Sequence, residues 1–453
     1  MIRQTSQAAA PASRRTSARR WPVDACGAAA GAGLGVSVGS VIVTQSRGSL
    51  ATPGGLATAG GQLAGLTGAY LLLIMILLIA RLPWLETSVG QARLIQWHRR
   101  VAPWAFGLIC AHVALITLGY AQAAGVNVVR QVWVFITSYP DLLAAIVGFG
   151  LLVLAVITSW RIVRAHLRYE TWWVVHLYTY IALALAFAHQ IVTGVSFVGH
   201  PLARAAWIVI WALTAGLVLA FRIAQPVARS IRHQLRVVEI REEAPGVFSL
   251  ICQGRKLDRL AVSGGQFFLW RFLTRQLWWQ AHPYSLSALP RPPYLRATIK
   301  DLGDQSAAIQ SLRPGTRIVI EGPYGALTPR ARMGDRVLLI GAGVGITPLR
   351  ALLEDLPPST DVIVIIRASA TSDLLHHEEI AALVERYGGT LHEIIGPRDQ
   401  VRLDADTLRE LAPDASLRDV YICGPDGFMA DVAGAALRLG VPTQQIHQEA
   451  FGF

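Results

Sequence analysis

The sequence predicts an all-α membrane bundle of six helices, followed by a small antiparallel β-barrel and an α/β domain. Three observations lead to this fold class: long apolar stretches recur in the first half, short alternating runs follow them, and strand and helix patterns alternate at the end. The chain has 453 residues, of which 53% are apolar and 15% are charged, and this composition excludes a disordered chain. The four cysteines have no paired spacing, so neither a disulfide scaffold nor a cysteine-type zinc site is expected.

The net charge of +12 is unevenly distributed. Residues 1–230 contain 17 lysines and arginines against four acids, whereas residues 231–453 contain 24 against 25. The basic excess lies beside apolar stretches, where positive charge flanks membrane helices. We therefore expect the chain to contact a lipid bilayer and not nucleic acid.

Six apolar stretches are each close to the roughly 20 residues that span a bilayer as a helix. They lie near residues 25–45, 62–80, 101–121, 142–160, 172–193 and 203–222. We place a basic leader at 1–24 and the helical bundle at 25–225. A signal peptide is the alternative interpretation of the first stretch.

Arginine placement predicts the orientation of this bundle. With a cytoplasmic N-terminus and six crossings, fourteen arginines lie on the inner side and three on the outer side. Such a bias is typical of cytoplasmic loops. We expect a multi-pass protein of the cell membrane whose residues 231–453 are cytoplasmic.

The second half contains two patterns. Short alternating runs such as Gln234–Ile240 and Val247–Ile251, separated by turn residues, predict an antiparallel barrel over 230–329. From 335 to 453 predicted strands alternate with predicted helices, beginning with the strand Val337–Ile340 and the helix Thr347–Leu356. That alternation predicts a parallel sheet with crossover helices.

Four histidines lie in the third and fifth membrane segments. His98 and His112 are 14 residues apart, and His176 and His189 are 13 apart, so each pair of levels is separated by roughly 20 Å along a helix. Because the third and fifth helices of an up-and-down bundle run the same way, His98 faces His176 and His112 faces His189. Each facing pair is suited to hold one haem iron between neutral imidazoles. The alternative is a set of hydrogen-bonded core histidines.

The interval between His176 and His189 does not fit an ideal helix. A step of 14 returns to within about 40° of the same face, whereas a step of 13 misses it by about 140°. We therefore expect a tightened or bent fifth helix, or ring rotamers that compensate.

A flavin site is indicated in the predicted barrel. His282, Pro283, Tyr284 and Ser285 follow a predicted strand, and Lys300, Gly303 and Ser306 follow the next. FAD requires an aromatic ring beside the flavin, a hydroxyl near its reactive nitrogen and donors for its pyrophosphate. We assign these roles to Tyr284, to Ser285, and to the group His282, Lys300 and Ser306. Each string alone would also fit an ordinary strand core.

A nicotinamide nucleotide site is indicated in the last domain. The loop Gly341–Pro348 lies between a strand and a helix, and its Gly341, Gly343, Gly345, Thr347 and Pro348 are candidate contacts for a pyrophosphate. Cys423, Gly424 and Pro425 follow another strand, which places Cys423 at the sheet edge beside a bound nicotinamide. Arg367 ends the second strand of the domain, where a 2′-phosphate would favour NADPH over NADH. The alternatives are a buried structural cysteine and a solvated arginine.

The chain ends with Glu449-Ala450-Phe451-Gly452-Phe453. Phe453 is expected to cover the flavin ring until nicotinamide displaces it, with a simple packing anchor as the alternative. The candidate catalytic residues are Cys423, Ser285, Glu449 and Phe453.

Together these motifs resemble the ferric reductase and NADPH oxidase superfamily over residues 60–453. The resemblance implies two bis-histidyl b-type haems on the four histidines, with the same spacings of 14 and 13. It also implies an FAD motif at His282–Ser285, a nicotinamide loop at Gly341–Pro348, a hydride-site motif at Cys423–Pro425 and a terminal aromatic at Phe453. The sequence differs from the animal oxidases in having short outer loops and no calcium-binding loops before the membrane part.

We therefore predict an enzyme that moves electrons from cytosolic NAD(P)H through FAD and two b-type haems to an extracytoplasmic acceptor, either a ferric chelate or dioxygen. A second interpretation is a donor to a periplasmic or quinone redox partner. The non-enzymatic alternative is a six-helix structural or channel protein with a degenerate nucleotide domain.

Overall fold

The structure is a computed structural model that describes residues 21–397 and 401–449. Its described residues form two compact units. We call Asp24–Ala80 with Gln96–Val218 the membrane unit, and Arg81–Ile95 with the chain from Leu219 onward the sheet unit. The sheet unit therefore includes a segment that connects two membrane helices.

Among the described residues, six helices are long and apolar enough to cross a membrane, as predicted. They are α1 (Trp21–Thr44), α3 (Gly55–Ile79), α5 (Gln91–Ala124), α7 (Pro140–Ser159), α9 (Tyr169–Thr193) and α10 (Pro201–Leu219). Four shorter helices were not predicted: α2 (Arg47–Ala51), α4 (Pro83–Val89), α6 (Val128–Ser138) and α8 (Arg161–His166). The last long helix continues through a π-helical turn, Ala220–Ala224, into α11 (Gln225–His233).

Glycines allow α3 and α5 to approach closely. A Cβ atom at Gly61 would lie 2.8 Å from Ile116, and one at Gly68 would lie 2.9 Å from Ile109. A Cβ atom at Gly65 would lie only 2.4 Å from Nδ1 of His112. Small residues at this spacing are typical of close helix contacts in membranes, and here they bring the α3 backbone against a predicted ligand.

The two histidine-bearing helices differ in their regularity. Helix α5 contains Pro103, which lacks an amide hydrogen and so removes one helical hydrogen bond between His98 and His112. Helix α9 is α-helical throughout Tyr169–Thr193, without the tightened turn that the interval between its histidines suggested.

The first part of the sheet unit contains six strands and one helix. They are β1 (Arg236–Ala244), β2 (Val247–Gln253), β3 (Phe267–Phe272), β4 (His282–Ser285), β5 (Tyr294–Lys300), α12 (Asp304–Gln310) and β6 (Ile318–Tyr324). The strands form two three-stranded antiparallel sheets, ordered β1-β2-β5 and β4-β3-β6.

The predicted closed barrel is wrong for the described residues. Isolated bridges, such as Arg236 to Arg317 and Leu286 to Ala297, and a few backbone hydrogen bonds link the two sheets, without a continuous ladder. Strand β4 has four residues and includes Pro283, which has no amide hydrogen to extend a ladder. The buried core between the sheets, which includes Phe248, Trp270 and Phe272, still resembles the filling of a small barrel.

The second part of the sheet unit is the predicted parallel sheet. Its strands are β7 (Arg336–Ala342), β8 (Asp361–Ala368), β9 (Thr390–Ile395), β10 (Asp419–Cys423) and β11 (Ile446–Gln448), in the order β11-β10-β7-β8-β9. Its helices are α13 (Ile346–Asp355), α14 (His377–Arg386), α15 (Ala405–Leu411) and α16 (Asp426–Arg438). Alternate residues of the strands pack against α13 and α14 on one face and against α15 and α16 on the other. Both faces are therefore covered, as parallel sheets require.

Ion pairs join the two parts of the sheet unit. Arg296 on β5 forms two hydrogen bonds with the Glu379 carboxylate on α14, at 2.7 and 2.8 Å. Arg350 on α13 lies 2.8 Å from the same carboxylate. Hydrogen bonding to Arg296 lowers the pKa of Glu379 to about 2, so these pairs hold the antiparallel sheets against the parallel sheet at neutral pH.

Candidate functional site

The structure brings the four membrane histidines together in the predicted pairs. The ring centroids of His98 and His176 are 6.3 Å apart, and those of His112 and His189 are 6.4 Å apart. The two rings are inclined by 69° in the first pair and by 31° in the second. Both pairs therefore meet across α5 and α9, although the two helices space their histidines differently.

In three of these rings, Nδ1 lies within hydrogen-bond distance of a polar group. Nδ1 of His98 lies 3.3 Å from the Met75 carbonyl, and Nδ1 of His112 lies 2.8 Å from the Gly61 carbonyl. Nδ1 of His176 lies 3.3 Å from the Ser159 hydroxyl. A ring that donates from Nδ1 keeps Nε2 as the free acceptor, which is the usual arrangement of a metal-binding histidine.

The separation of the rings can be compared with that of two imidazoles on one iron. A metal–nitrogen bond is about 2 Å long and the ring centre lies about 1 Å behind the nitrogen, so two opposed axial rings have centroids about 6 Å apart. Both observed separations agree with this value. Among the described residues no group of three or more His, Cys, Asp or Glu side chains is arranged to hold a metal ion, but axial ligation of a haem requires only two.

The predicted flavin motif lies on the short strand β4. His282 pairs with Trp270 and Tyr284 pairs with Phe268 across the neighbouring strand β3. The rings of His282 and Tyr284 are nearly parallel, inclined by 9° with centroids 6.0 Å apart. Ser285 is buried.

His282 leaves one buried polar atom without a partner. Its Nε2 has no hydrogen-bond partner in the described structure, although unpaired buried polar atoms are costly. Burial, and then the nearby charge of Arg271, lower the pKa of His282 to about 4. The side chain is therefore neutral and can offer a single hydrogen bond, without a positive charge, to a bound group.

Of the other predicted pyrophosphate contacts, Ser306 is already hydrogen-bonded within its turn, whereas Lys300 faces a cavity. The Ser306 hydroxyl lies 2.6 Å from the Asp301 carboxylate and accepts from the Leu302 amide. The hydrogen bond from Ser306 lowers the pKa of Asp301. Gly303 adopts a φ of +136°, whereas Lys300 lines a cavity of the sheet unit. Lys300 is thus available to a phosphate, while the Ser306 oxygen is already bonded within its own turn.

The nucleotide loop passes close to the end of β10. A Cβ atom at Gly345 would lie 2.4 Å from the Cys423 carbonyl, so only glycine allows this approach. Gly343 adopts a positive φ of +54° at the end of β7. Thr347 donates from its hydroxyl to the Val344 carbonyl, and both Thr347 and Pro348 are buried in the first turn of α13. Gly343 and Gly345 shape the loop, whereas Thr347 and Pro348 anchor it.

A cavity of about 970 Å³ lies beside this loop. Its walls include Gly343, Pro425, Arg367, Arg402 and Arg438. Arg367 is buried and donates to the carbonyls of Ala368 and Val401, so it is not the solvated side chain of the alternative interpretation. Sequence reasoning missed Arg402 and Arg438, because nothing in their local sequence marks them as neighbours of Arg367.

Cys423 and Glu449 meet at the end of β10. The Cys423 thiol is fully buried and donates to the Glu449 main-chain carbonyl at 3.5 Å. Burial raises the pKa of Cys423 well above its ordinary value, so the thiol stays protonated. The Glu449 carboxylate accepts from the Leu327 amide at 3.4 Å, and burial raises its pKa to about 7. Phe453 lies outside the described residues.

Sequence reasoning also missed Glu86, which is buried on α4 within the sheet unit. One signal was present in the sequence, since Glu86 is one of only four acids in residues 1–230.

Six membrane-length helices followed by a doubly wound parallel sheet define a class of membrane proteins with a nucleotide-binding domain on the same chain. Within that class, residues 64–187 match the family described as the ferric reductase like transmembrane component. Residues 339–434 match the oxidoreductase NAD-binding domain. The chain thus contains a region similar to the ferric reductase like transmembrane component and, after it, a region similar to the oxidoreductase NAD-binding domain.

Curated relatives are similar to part of the chain. The glycine betaine monooxygenase reductase subunit of Pseudomonas aeruginosa is 26% identical over 241 residues, which are 49% of this chain and 64% of that protein. The ferredoxin reductase component of 3-ketosteroid-9-alpha-monooxygenase from Mycolicibacterium smegmatis is 30% identical over 230 residues, covering 48% and 65%. The flavohemoprotein of Deinococcus radiodurans is 29% identical over 193 residues, covering 38% and 47%. The chain spans less than two thirds of each of these relatives.

Solved structures resemble the chain over about half its length. The flavohaem-like FAD/NAD-binding domain of nitric oxide dioxygenase from Vibrio cholerae is 24% identical, with a TM-score of 0.41, and covers 49% of this chain and 100% of that one. A cytochrome P450 reductase from Amycolatopsis is 21% identical, with a TM-score of 0.41, and covers 48% and 69%.

Proposed function

We propose that this protein is a transmembrane oxidoreductase that moves electrons from NAD(P)H through FAD and two b-type haems to an acceptor on the other side of the membrane. One observation carries the proposal: two facing histidine pairs lie in or within two residues of the ferric-reductase-like region, on a chain that also has a region similar to an NAD-binding domain. The observed ring separations and the Nδ1 hydrogen bonds support the proposal that the Nε2 atoms of each pair would hold a haem iron.

The residues of the chain have separate tasks in this proposal. His98 with His176 and His112 with His189 would hold two haems, which supply one-electron carriers at two depths. Tyr284, Ser285 and the unpaired Nε2 of His282 would contact the flavin, which converts a two-electron donor into two single-electron steps.

The nucleotide would bind between the loop and the cavity. Gly343 and Gly345 would let the backbone approach a pyrophosphate, and Cys423 with Glu449 would border the nicotinamide. Arg367, aided by Arg402 and Arg438, provides positive charge at the cavity wall, which favours NADPH. The arginine bias supports a cytoplasmic location for this part of a cell-membrane protein, so the acceptor, a ferric chelate or dioxygen, is extracytoplasmic.

A second candidate function is electron donation to a periplasmic or quinone redox partner. It is favoured by the similarity to reductase subunits of oxygenase systems. Stopped-flow reduction of purified acceptors by the NADPH-reduced protein separates the two functions, because the preferred acceptor is reduced faster at equal concentration.

The test uses purified protein reconstituted in vesicles with the sheet unit outside. We expect about two dithionite-reducible b-type haems per chain, and reduction of ferric citrate sealed inside the vesicles when NADPH is added outside. Replacement of His176 by leucine should remove one haem, whereas His166→Leu, in a short surface helix, is the matched control. A wild-type protein without a b-type haem spectrum would contradict the proposal.

A further inference from the structure

A short segment between two membrane helices folds with the sheet unit. It comprises Arg81–Gly90 and contains α4, which packs against β6. Glu86 on α4 is 3% exposed. Its Oε1 accepts a hydrogen bond from Arg81 at 3.2 Å, whereas its Oε2 is buried with no hydrogen-bond partner in the described structure. A buried carboxyl group with a free oxygen is suited to bind and release a proton.

Charged and polar side chains lead from Glu86 to a cavity. The guanidinium of Arg81 lies over the ring of Tyr324, 4.5 Å from its centroid. The Tyr324 hydroxyl donates to the Glu321 carboxylate at 2.7 Å, and Arg222 donates to the same oxygen at 3.3 Å. Arg222 and Glu321 line an open cavity of about 470 Å³. Arg81 thus links Glu86 to Tyr324 and Glu321 beside this cavity. Because a guanidinium stays protonated, Arg81 positions these groups and does not itself carry a proton.

The other end of the same strand leads to the nucleotide site. Strand β6 continues into the turn Gly325–Leu327, which holds the Glu449 carboxylate. A Cβ atom at Gly90, just after α4, would lie 3.6 Å from the Ala326 side chain. Gly90 and Glu449 therefore both lie against this turn, and Glu86 is close enough to Glu449 for its charge to raise the pKa of Glu449. Glu449 in turn contacts Cys423.

The proposed reaction releases a proton that does not accompany the electrons. Oxidation of NADPH yields NADP⁺, two electrons and one proton. The electrons reduce two ferric ions to ferrous ions one at a time on the far side of the membrane. The hydride hydrogen is left behind as a proton, and it must leave the buried site through groups that can bind it.

We propose that Glu86 holds this proton and passes it from the Glu449 side of the turn to Glu321 and the open cavity. This inference rests on the proposed function and adds a proton exit to it. The groups that face Glu86 are Arg81 on its own segment, Tyr324 and Glu321 on β6, and Arg222 on the extension of the last membrane helix. Glu449 is the acid on the C-terminal side.

The electrostatic balance at Glu86 favours proton binding. Burial raises the pKa of Glu86, the charge of Glu321 raises it further, and Arg81 and Arg222 lower it only in part. A group that is already protonated cannot accept another proton. We therefore expect acceptor reduction to fall as the pH drops through the pKa of Glu86.

The test compares Glu86→Gln with the wild type in the reconstituted full chain. Flavin and haem absorbance are followed by stopped flow, and proton release is followed with a pH-indicator dye. Loss of a general acid or base costs roughly a hundredfold in rate, so we expect proton release and acceptor reduction to slow at least tenfold in Glu86→Gln and to lose their acid limb. Glu86→Asp should restore part of both. Glu239→Gln, an exposed change in the same unit, should match the wild type.

A measurement without turnover completes the test. Infrared difference spectra of the resting protein, recorded between two pH values, should contain a carboxyl band that is absent from Glu86→Gln. Wild-type proton release and an unchanged pH profile in Glu86→Gln would overturn the inference, as would a slower reaction that keeps its acid limb. A wild-type protein without NADPH-driven acceptor reduction contradicts the proposed function instead, and in that case the infrared band alone decides whether Glu86 holds a proton.

Discussion

Glu449 makes two kinds of contact. Its main-chain carbonyl accepts a hydrogen bond from the Cys423 thiol, and its carboxyl group is enclosed beside Gly325 and Leu327. Enclosure raises its pKa from 4.5 to about 7. Between these values the folded protein binds more protons than the unfolded chain. Stability from this group is therefore greatest below the unfolded pKa and declines as the pH rises through the folded pKa.

We predict that Glu449→Gln removes this dependence. The shift corresponds to about 3 kcal/mol at most, so the wild type should lose up to that much more stability than the variant between about pH 5 and about pH 8. Denaturant unfolding in detergent, followed by tryptophan fluorescence, measures the difference. An equal decline in both proteins would show that the Glu449 carboxyl is not enclosed as described, and Glu239→Gln should behave as the wild type.

At the scale of residues, the sequence indicates which side chains are candidates for the site but not their hydrogen bonds or charge. His282, Tyr284, Ser285 and Cys423 could be chosen as candidates from their types and their order in the sequence. That Ser306 is bonded to Asp301 could not be predicted, because a competing hydrogen bond inside a turn depends on backbone conformation. The neutrality of His282 likewise follows from burial and from Arg271, which sequence spacing does not reveal.

At the scale of elements, the contact between α3 and α5 depends on glycine. Gly65 lies where any Cβ atom would come within 2.4 Å of Nδ1 of His112. The His112 ring would then have to leave its hydrogen bond with the Gly61 carbonyl.

We predict that Gly65→Ala lowers the b-type haem content toward one per chain and costs about 1–3 kcal/mol, as overpacking does. Gly216→Ala is the matched control, since no heavy atom lies within 4 Å of its Cβ position. Pyridine haemochrome spectra and thermal unfolding measure the two effects. Full haem content in Gly65→Ala would contradict the close approach of Gly65 to His112.

Long elements were predictable and short ones were not. The hydropathy of long apolar stretches identified all six membrane helices, and alternation identified the parallel sheet. Helices α4 and α6 were not predicted because 7 and 11 residues give too short a pattern. Barrel closure was predicted from strand composition alone, but closure depends on ladders that Pro283 and the loops between sheets interrupt.

At the scale of the whole molecule, the proposed function requires an order of electron flow through the two histidine levels. His98 and His176 belong to the inner level, and His112 and His189 to the outer level, when the arginine bias sets the orientation. In that proposal, electrons from the nucleotide site reach the inner level first.

We predict that His112→Leu leaves one haem that NADPH still reduces, while reduction of the enclosed ferric chelate falls by at least tenfold. His98→Leu should leave only the outer haem, which dithionite reduces and NADPH does not. Haem absorbance in vesicles, recorded with NADPH and then with dithionite, distinguishes the variants. Normal reduction of the chelate by His112→Leu would place the outer level off the route.

The order of the membrane and sheet regions along the chain could be predicted from the sequence. That the segment Arg81–Ile95 belongs to the sheet unit could not. Hydropathy indicates only that this segment connects two helices, but its Arg81 lies over the Tyr324 ring on β6, and the charge of Glu321 on β6 raises the pKa of its Glu86. Pairings between such distant stretches leave no periodic pattern in a single sequence.

Because Arg81–Ile95 belongs to the sheet unit, the chain cannot be divided into its two units by a single cut. A fragment that begins at residue 219 would lack Arg81, which lies over the Tyr324 ring, and α4, which packs against β6. Grafting residues 219–453 onto another membrane anchor would therefore require the segment Arg81–Ile95 as well, so that two separated stretches of sequence would have to be transferred together.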